Sequence, residues 1–348
     1  MTALATQPAV QKTAVLLLNI GSPDEPSRAA VARYLREFLG DARVIDLPAV
    51  LRWVLVNLVI VPFRAAKSAK RYAQIWTSAG SPLIRHSLAQ ATGVHEKLPE
   101  IEVVAAMRYG QPSIQSTVDR LLNSGVTDFV LVPMYPQYAS ASTGSGLEAV
   151  YASLRGRSFV PSVRVVSAFY LEPAWLDASA ARIERTCEEF KPDHLLLSYH
   201  GLPLNQLQDT TRPTGGVCGT SGCCDKIDSG NHACYRAQCF ATSAGLAARL
   251  PKWPTSTSFQ SRIQGRKWIE PYTDHEVVTL AKKGVKRLAV ACPSFVSDCL
   301  ETLEEIGVEA RATFKAAGGE DLTLVPCVND DPAFVAALTQ WVRKELDR

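Results

Sequence analysis

The chain has 348 residues, of which 47% are hydrophobic and 20% are charged, an ordinary globular composition. Lys and Arg number 37 against 34 Asp and Glu, which gives a formal net charge of +3. Such a balance argues against a polybasic nucleic-acid-binding surface and against an acidic disordered tail. At roughly 100–200 residues per domain, the length predicts two domains.

The N-terminal residues lack the basic region of a secretory signal, so we predict a cytoplasmic protein. The longest apolar stretch, Ala49–Phe63, is interrupted by Arg52, Asn57 and Pro62. It falls short of the about 20 apolar residues that span a membrane, and we predict no transmembrane helix. Two interpretations stay open for this stretch: a buried helix, or an apolar lip that touches a membrane or an apolar ligand.

Several short runs rich in Val, Leu and Ile are each followed by turn residues and a helical stretch. Apolar runs without alternation are typical of strands buried on both faces of a parallel sheet. The predicted strands are Ala14–Ile20, Arg43–Leu47, Glu102–Met107, Phe129–Met134, Val163–Ala168, His194–Ser198, Arg287–Ala291 and Leu322–Val325. The predicted helices are Ser27–Leu39, Ile114–Asn123, Trp175–Glu189, Asp274–Lys283, Cys299–Ala316 and Asp331–Leu346.

This alternation predicts an α/β fold with two Rossmann-like domains, each a four-stranded parallel sheet with flanking helices. We place the first domain at residues 1–160 and the second at residues 161–330. The final helix, residues 331–348, is expected to pack back on the first domain. No dinucleotide fingerprint is present, which excludes a nicotinamide enzyme of the usual kind.

Ligands of open α/β sheets bind beyond the carboxyl ends of the strands, where two candidate catalytic residues lie. His200 follows the run LLLSY directly, and an imidazole there can accept a proton or bind a metal. Glu301 opens a predicted helix, although Asp298 as N-cap with Glu301 three residues later also fits a structural capping box. Glu305 lies one turn further on, and the two carboxylates would repel each other if both were ionised. Such a pair could raise the pKa of one carboxyl group or attract a cation.

Aromatic and basic side chains follow other predicted strands. Arg108 and Tyr109 could hold a carboxylate and an aromatic face. Tyr135 and Trp268 add flat apolar surface. Core packing is the more frequent fate of any one aromatic residue, but as a set they favour a large planar ligand.

The chain has nine cysteines, five of them between Cys218 and Cys239, in the segment that we call the cysteine loop (residues 205–239). Most of this segment, residues 205–233, lacks apolar periodicity, and it is predicted to be a long functional loop. Its thiols suggest a [2Fe–2S] cluster, a structural zinc ion without the usual paired C-x₂-C spacing, or free redox-active thiols. His232 is a possible substitute ligand. Three other cysteines are expected to be small core residues: Cys187, Cys292 and Cys327.

With these motifs in order, the chain closely resembles the ferrochelatases over nearly its whole length. The matching segments are LLLNIGSPDEPS, YLREFLGDARVIDLP, SAGSPL, MRYGQPSI, PMYPQYASASTGS, SYHGLP, FQSRIQGRKWIEPYTD and CPSFVSDCLETLEEI. The resemblance implies a lyase of haem biosynthesis that inserts Fe²⁺ into a porphyrin. It also implies the same two-domain chelatase-like fold.

The resemblance carries residue roles with it. His200 would take protons from the pyrrole nitrogens or bind the substrate Fe²⁺, with Glu301 on the same side of the cleft. Asp298 and Glu305 match an acidic path for protons or metal. The implied porphyrin-binding positions are Ile20, Arg108, Tyr109, Tyr135, Ser261 and Trp268, with Ile20 facing the macrocycle opposite His200. The chain departs from many relatives at Cys299, where they have histidine.

The cysteine loop resembles the internal cysteines of microbial ferrochelatases that carry a [2Fe–2S] cluster. The implied ligands are Cys218, Cys223, Cys224 and Cys234, whereas Cys239 matches a cysteine of relatives without a cluster. Ile20 and the run YPQYASAST favour protoporphyrin IX over coproporphyrin, and the protein is expected to be peripheral on the inner face of the membrane. Another tetrapyrrole chelatase and a non-catalytic porphyrin- or haem-binding protein stay as alternatives.

Overall fold

The structure is a computed structural model and describes residues 12–216, 218–219, 222–262 and 266–348. The first half of the chain alternates strands and helices. Its elements are β1 (Thr13–Ser22), α1 (Arg28–Gly40), α2 (Ala49–Val54), α3 (Val61–Ile75), α4 (Pro82–Lys97), β2 (Glu102–Gly110), α5 (Ile114–Asn123), β3 (Asp128–Pro133), α6 (Ser145–Leu154) and β4 (Ser162–Val165).

The second half repeats the alternation. Its elements are α7 (Pro173–Phe190), β5 (His194–His200), α8 (Leu204–Thr211), α9 (Tyr235–Arg249), β6 (Thr255–Gln260), α10 (Thr273–Lys282), β7 (Arg287–Ala291), α11 (Leu300–Leu303), α12 (Arg311–Ala316), β8 (Asp321–Leu324) and α13 (Pro332–Leu346). Three π-helical turns join or precede helices, at Leu55–Ile60, Ser140–Gly144 and Glu305–Ala310.

The strands form two four-stranded parallel sheets, in the orders β2-β1-β3-β4 and β6-β5-β7-β8. The central strands are buried on both faces because helices cover both sides of each sheet. All strands of a parallel sheet end at the same edge, so the residues after β1, β2 and β3 share one rim and those after β5, β6 and β7 share another. The predicted fold class is therefore confirmed.

Several predicted elements were wrong in detail. Arg43–Leu47 is a turn rather than a strand, because the Asp41 carboxylate accepts from the Arg43 amide and the Asp41 carbonyl from the Ile45 amide. The strand β6 was missed, since its sequence TSTSFQ is rich in Ser and Thr. Such a sequence is tolerated because β6 lies at the edge of its sheet. The helices α4 and α9 were missed, and α8 occupies the first residues of the segment expected to be irregular.

The division of the chain into domains stays a prediction, but the sheets place its elements. β4 pairs with β3 in the first sheet, so the predicted boundary at residue 160 falls before the last strand of that sheet. The change of sheet therefore comes between β4 and β5. Phe334 of α13 packs against Trp175 of α7, and the Arg343 side chain donates to the Lys97 carbonyl at the end of α4.

A continuous helical stretch, Ala49–Ile75, stands at the surface of the first half; we call it the exposed helix. By length and composition alone it could cross a membrane, and only 17% of its most apolar window is buried. Val56, Val61 and Ala65 pack against Leu39 of α1. Its other face carries a row of exposed apolar side chains: Val50, Leu51, Trp53, Val54, Leu58, Val59 and Phe63. Of the two interpretations of Ala49–Phe63, the wholly buried helix was wrong.

Candidate active site

His200 is the last residue of β5, at the rim of the second sheet. Its Nδ1 lies 2.6 Å from the Gly201 carbonyl oxygen, and its backbone N–H donates to Ser294 Oγ at 3.0 Å. A carbonyl oxygen can only accept, so Nδ1 carries the proton and Nε2 holds the free lone pair. The strand end thus supplies an oriented base.

Burial lowers the pKa of His200, while the negative charge of Glu301 and the hydrogen bond to Gly201 partly oppose that shift. The pKa of a free imidazole lies near 6.5, and a lowered pKa keeps His200 neutral at pH 7. A neutral imidazole can accept a proton and repels no approaching cation.

Glu301 lies on the short helix α11, and the alternative interpretation of Asp298 and Glu301 as a capping box was wrong. The N-cap is Cys299, whose capping-box partner is Thr302 rather than Glu301. Asp298 instead accepts hydrogen bonds from Thr302 Oγ1, the Cys327 amide and Asn329 Nδ2. The buried Asp298 carboxylate therefore anchors its own loop, and the capping box does not use the Glu301 carboxylate, which lies within hydrogen-bonding reach of the Cys299 thiol. A proton or metal path through Asp298 stays a prediction.

The Glu301 carboxylate lies among buried groups from both halves of the molecule. Its charge contributes to the raised pKa values of Tyr34, Tyr72 and Cys299, after burial as the largest cause. The same charge acts on His200. Because a Coulomb interaction of this kind weakens with distance, the Glu301 carboxylate lies near the His200 ring, and the catalytic roles of the two residues stay a prediction.

Glu305 follows Glu301 by one turn and is held by Ser261. The Ser261 amide and hydroxyl donate to the two Glu305 oxygens at 2.7 and 2.6 Å. Burial raises the pKa of Glu305 to about 7, and the charge of Glu301 adds to the rise while the Ser261 bonds oppose it. Ser261 has a φ of 65°, a backbone conformation that side-chain-bearing residues rarely adopt. Ser261 thus binds Glu305, and its predicted porphyrin contact stays a prediction.

Arg108 and Tyr109 converge on a carboxylate that the sequence analysis missed, Asp41. The Arg108 guanidinium donates to Asp41 at 2.6 Å and the Tyr109 hydroxyl at 2.8 Å, and Ser145 adds a third donor. Burial tends to raise the pKa of Asp41, but these bonds and the Arg108 charge hold it below its ordinary value. Tyr135 lies near both Arg108 and Tyr109. Contact of these residues with a ligand stays a prediction.

Trp268 packs against the backbone that follows His200. Its neighbour Ile269 donates from the amide to the Leu202 carbonyl at 3.0 Å. A Cβ on Gly201 would lie 2.6 Å from the Gln260 carbonyl and 3.3 Å from the Trp268 ring, so only glycine fits there. Trp268 Nε1 is buried and has no hydrogen-bond partner among the described residues.

A cavity of ≈ 400 Å³ opens between the two halves of the molecule. Asp46 of the first half and five residues of the second half line it: Leu204, Asn205, Gln208, Arg266 and Lys267. Across the molecule, the half-buried Ile20 near the end of β1 packs against the large core cluster that includes Tyr199.

Arg71 is a second residue that sequence reasoning missed. From α3 of the first half, its guanidinium pairs with Glu304 and, at 2.7 Å, with Glu309 of the second half. The pair with Glu304 is largely buried, and it joins the halves next to Glu301 and Glu305. No sequence spacing could predict it, because its partners are more than 230 positions apart.

The cysteine loop brings four of its thiols into one connected set of contacts. Cys223 Sγ lies 3.6 Å from Cys224 Sγ. A hydrogen bond from the Cys224 thiol lowers the pKa of Cys234, and Cys218 contacts Cys234 in turn. Arg236 lies close enough to lower the pKa of the Cys224 thiol, although Cys234 and burial raise it overall.

Within the described part of the chain, no three His, Cys, Asp or Glu side chains are arranged so that they could hold one metal ion. His232 lies in the same loop and binds the Ser229 carbonyl through Nδ1. Cys239 is fully buried, as are the expected core residues Cys187, Cys292 and Cys327.

Comparisons with known proteins agree over most of the chain. A family model described as Ferrochelatase matches residues 12–346. The ferrochelatase of Coxiella burnetii (strain Dugway 5J108-111) is 43% identical over 338 residues, which cover 96% of this chain and 94% of the relative. The ferrochelatase of Legionella pneumophila (strain Paris) is 41% identical over 335 residues, covering 95% and 99%. SirB from Bacillus subtilis, solved with Fe³⁺, shares the fold with a TM-score of 0.52 at 12% identity over 96% of each chain.

Proposed function

The chain belongs to the ferrochelatase family, and we propose that it inserts Fe²⁺ into protoporphyrin IX, with His200 as the base and Glu301 as the carboxylate of the site. The observation that carries these roles is a neutral, oriented imidazole at the rim of the second sheet with the Glu301 carboxylate, which the capping box does not use, near it. Metallation replaces two pyrrole N–H protons with a dication, so it needs a base and a negative charge on the same side.

The proposed steps use groups that the site supplies. His200 Nε2 accepts a pyrrole proton, and Glu301 offsets the hydration that Fe²⁺ loses on entry. Glu305, whose pKa of about 7 lets it exchange protons at neutral pH, passes protons towards solvent. Tyr135, Trp268 and Ile20 form the walls against which the flat macrocycle binds and distorts.

An anaerobic assay with Fe²⁺ and porphyrin tests this proposal on the unaltered protein and on His200→Ala. The matched control is His194→Ala, at the opposite end of the same strand, where Nε2 binds Ser256. We expect His200→Ala to lose metallation by about 100-fold or more while it still quenches porphyrin fluorescence on binding. His194→Ala should remain active.

Each alternative has its own outcome in this assay. Haem formation from coproporphyrin and not from protoporphyrin would overturn the substrate proposal. Equal porphyrin binding by all three proteins without any metallation would indicate a binding protein instead of an enzyme. Metallation only with Co²⁺ or Ni²⁺ would indicate a different chelatase.

We further propose that the cysteine loop holds a [2Fe–2S] cluster on Cys218, Cys223, Cys224 and Cys234. Such a cluster takes four cysteine thiolates, and the four thiols of this loop form one connected set of contacts. One feature favours a thiolate here: Cys234 is the N-cap of α9, and its pKa is lowered, chiefly by the hydrogen bond from Cys224. When bound, the cluster would cross-link the loop and could exchange one electron.

Iron content and visible absorption of the anaerobically purified protein, before porphyrin is added, test the cluster. We expect a reddish protein, and we expect Cys218→Ser to be colourless. The matched control is Cys239→Ala, a buried cysteine at the end of the same segment, which should keep its colour. A colourless unaltered protein with stoichiometric zinc would contradict the cluster.

We also propose that the protein contacts the inner face of the membrane peripherally through the exposed helix. One face of this helix packs on α1 while its other face exposes Trp53 (59%) and Phe63 (80%) to solvent. An exposed apolar row of this kind is a common mark of an interaction surface.

A further inference from the structure

Gln260 connects the two segments that carry His200 and Glu301. It is the last residue of β6, it pairs in register with His200 of β5, and it is 3% exposed. Its carbonyl accepts the Gly201 amide at 2.7 Å, directly after His200. Its side-chain Nε2 donates to the Glu301 carbonyl at 2.7 Å. A single buried residue therefore touches both sides of the proposed catalytic pair.

The orientation of the Gln260 amide is fixed from behind. Ser198 Oγ donates to Gln260 Oε1 at 2.7 Å, and the Cys292 thiol contacts the same oxygen at 3.6 Å. Thr273 Oγ1 lies 2.8 Å from the hydroxyls of both Ser198 and Ser258. Because a carbonyl oxygen can only accept, the NH₂ group must face Glu301. The amide thus has one permitted orientation in a saturated network.

The bond to Glu301 matters because α11 is a poor support by itself. The helix has four residues and passes directly into the π-helical turn at Glu305–Ala310, so few backbone bonds of its own hold Glu301 in place. An external donor on its carbonyl ties the helix to the rim of the second sheet. His200 is fixed to the same rim by β5, and Gln260 is the shared reference point.

We infer that Gln260 is a positioning residue, which sets the separation of His200 and Glu301 through its bonds to Gly201 and to the Glu301 carbonyl. The inference rests on the proposed function of those two residues. Gln260 acts through the backbone that carries the two residues. Its loss should therefore misplace the pair without weakening porphyrin binding. Displacements of about 1 Å in a catalytic site can cost on the order of 100-fold in rate.

The test is Gln260→Glu, assayed as kcat and porphyrin KM in the anaerobic reaction with the full chain. The substituted carboxylate keeps an acceptor for Ser198 but turns an oxygen, instead of an NH₂ group, towards the Glu301 carbonyl. We expect kcat to fall by about tenfold to 100-fold while KM and porphyrin fluorescence quenching stay unchanged. Gln260→Met removes the donor without adding charge, and the same loss of kcat is expected from it.

The matched control is Gln90→Glu. Gln90 is also fully buried and donates to a backbone carbonyl, that of Asn329, at 2.6 Å. Both Glu variants should lower the melting temperature, but Gln90→Glu should leave kcat close to that of the unaltered protein. If both Gln260 variants lose no more kcat than this control, or if KM rises in step with the loss of kcat, the positioning role is overturned. Absence of metallation by the unaltered protein would instead contradict the proposed function.

Discussion

The two halves of the molecule have the same strand order, yet each contains a buried carboxylate in the opposite electrostatic state. In the first half, Asp41 binds Arg108, Tyr109 and Ser145, and its pKa is held low. In the second half, Glu305 is buried with two donors from Ser261, and its pKa rises to about 7. At Asp41, hydrogen bonds from Ser145, the Arg43 amide and Tyr109, together with the Arg108 charge, outweigh the effect of burial on the pKa, so the carboxylate is a charged structural anchor. At Glu305 the effect of burial on the pKa dominates and the charge of Glu301 adds to it, so this carboxylate can exchange protons near neutral pH.

The largest expected effect sharpens this contrast on the catalytic side. Glu301→Gln removes the negative charge beside His200 while it keeps the side-chain size, and kcat for metallation should fall by about 100-fold or more. The control is Glu309→Gln, on the same helical segment, whose half-exposed carboxylate pairs with Arg71. Steady-state anaerobic kinetics measure both variants. Equal losses of kcat would show that Glu301 has no special place in the reaction.

The next effect tests the anchoring role of Asp41. Asp41→Asn leaves the largely buried Arg108 without its carboxylate, and the free energy of unfolding should fall by about 3 kcal/mol. Asp24→Asn is the matched control, because Asp24 forms an exposed pair with Arg33 and should cost less than about 1 kcal/mol. Urea denaturation measures both. An Asp41 variant as stable as the unaltered protein would break the proposed contrast.

Glu305 should reveal its raised pKa through the pH dependence of stability. The folded state keeps this proton up to about pH 7, whereas the unfolded state loses it near pH 4.5. The contribution of this group to stability therefore falls as the pH rises between those values, and the loss is complete above pH 7. Glu305→Gln should stabilise the protein at pH 8 relative to the unaltered chain and change little at pH 4. Denaturation at both pH values checks the sign, and the reverse order would contradict it.

The smallest effect on stability is expected at the exposed helix. Trp53→Ser should change the free energy of unfolding by less than about 0.5 kcal/mol, because the ring is mostly in solvent. The same change should weaken sedimentation of the protein with anionic phospholipid vesicles. Tyr151→Ser, at another exposed aromatic in the first half, is the control and should leave vesicle binding intact. Failure of the unaltered protein to bind vesicles would contradict membrane contact.

The sequence predicts the buried parts of the fold well and the edges poorly. Apolar runs such as Ala14–Ile20 report their burial directly, whereas β6 lies at a sheet edge and needs little apolar surface. Arg43–Leu47 has an apolar composition, but a local bond from its own amide to Asp41 decides its turn. Periodicity cannot report such side-chain bonds to the backbone.

The candidate site follows the same division. His200 is predictable because it ends β5, which has a clear apolar run. Glu301 is predictable because it opens the predicted helix that follows β7. The partners of two other candidate site residues come from distant segments. Ser261 binds Glu305, and Asp41 binds Arg108. The sequence allows two capping boxes, Asp298 with Glu301 and Cys299 with Thr302, and the structure forms the second. Only the folded chain decides between two residues with the same local potential.

The most direct test of the account is a crystal structure of the protein with a metal-free porphyrin bound. We predict that His200 Nε2 lies within about 3.2 Å of a pyrrole nitrogen, with the Glu301 carboxylate on the same face of the ring and Ile20 on the other. A macrocycle bound outside the cleft, or one whose nitrogens face away from both His200 and Glu301, would contradict it.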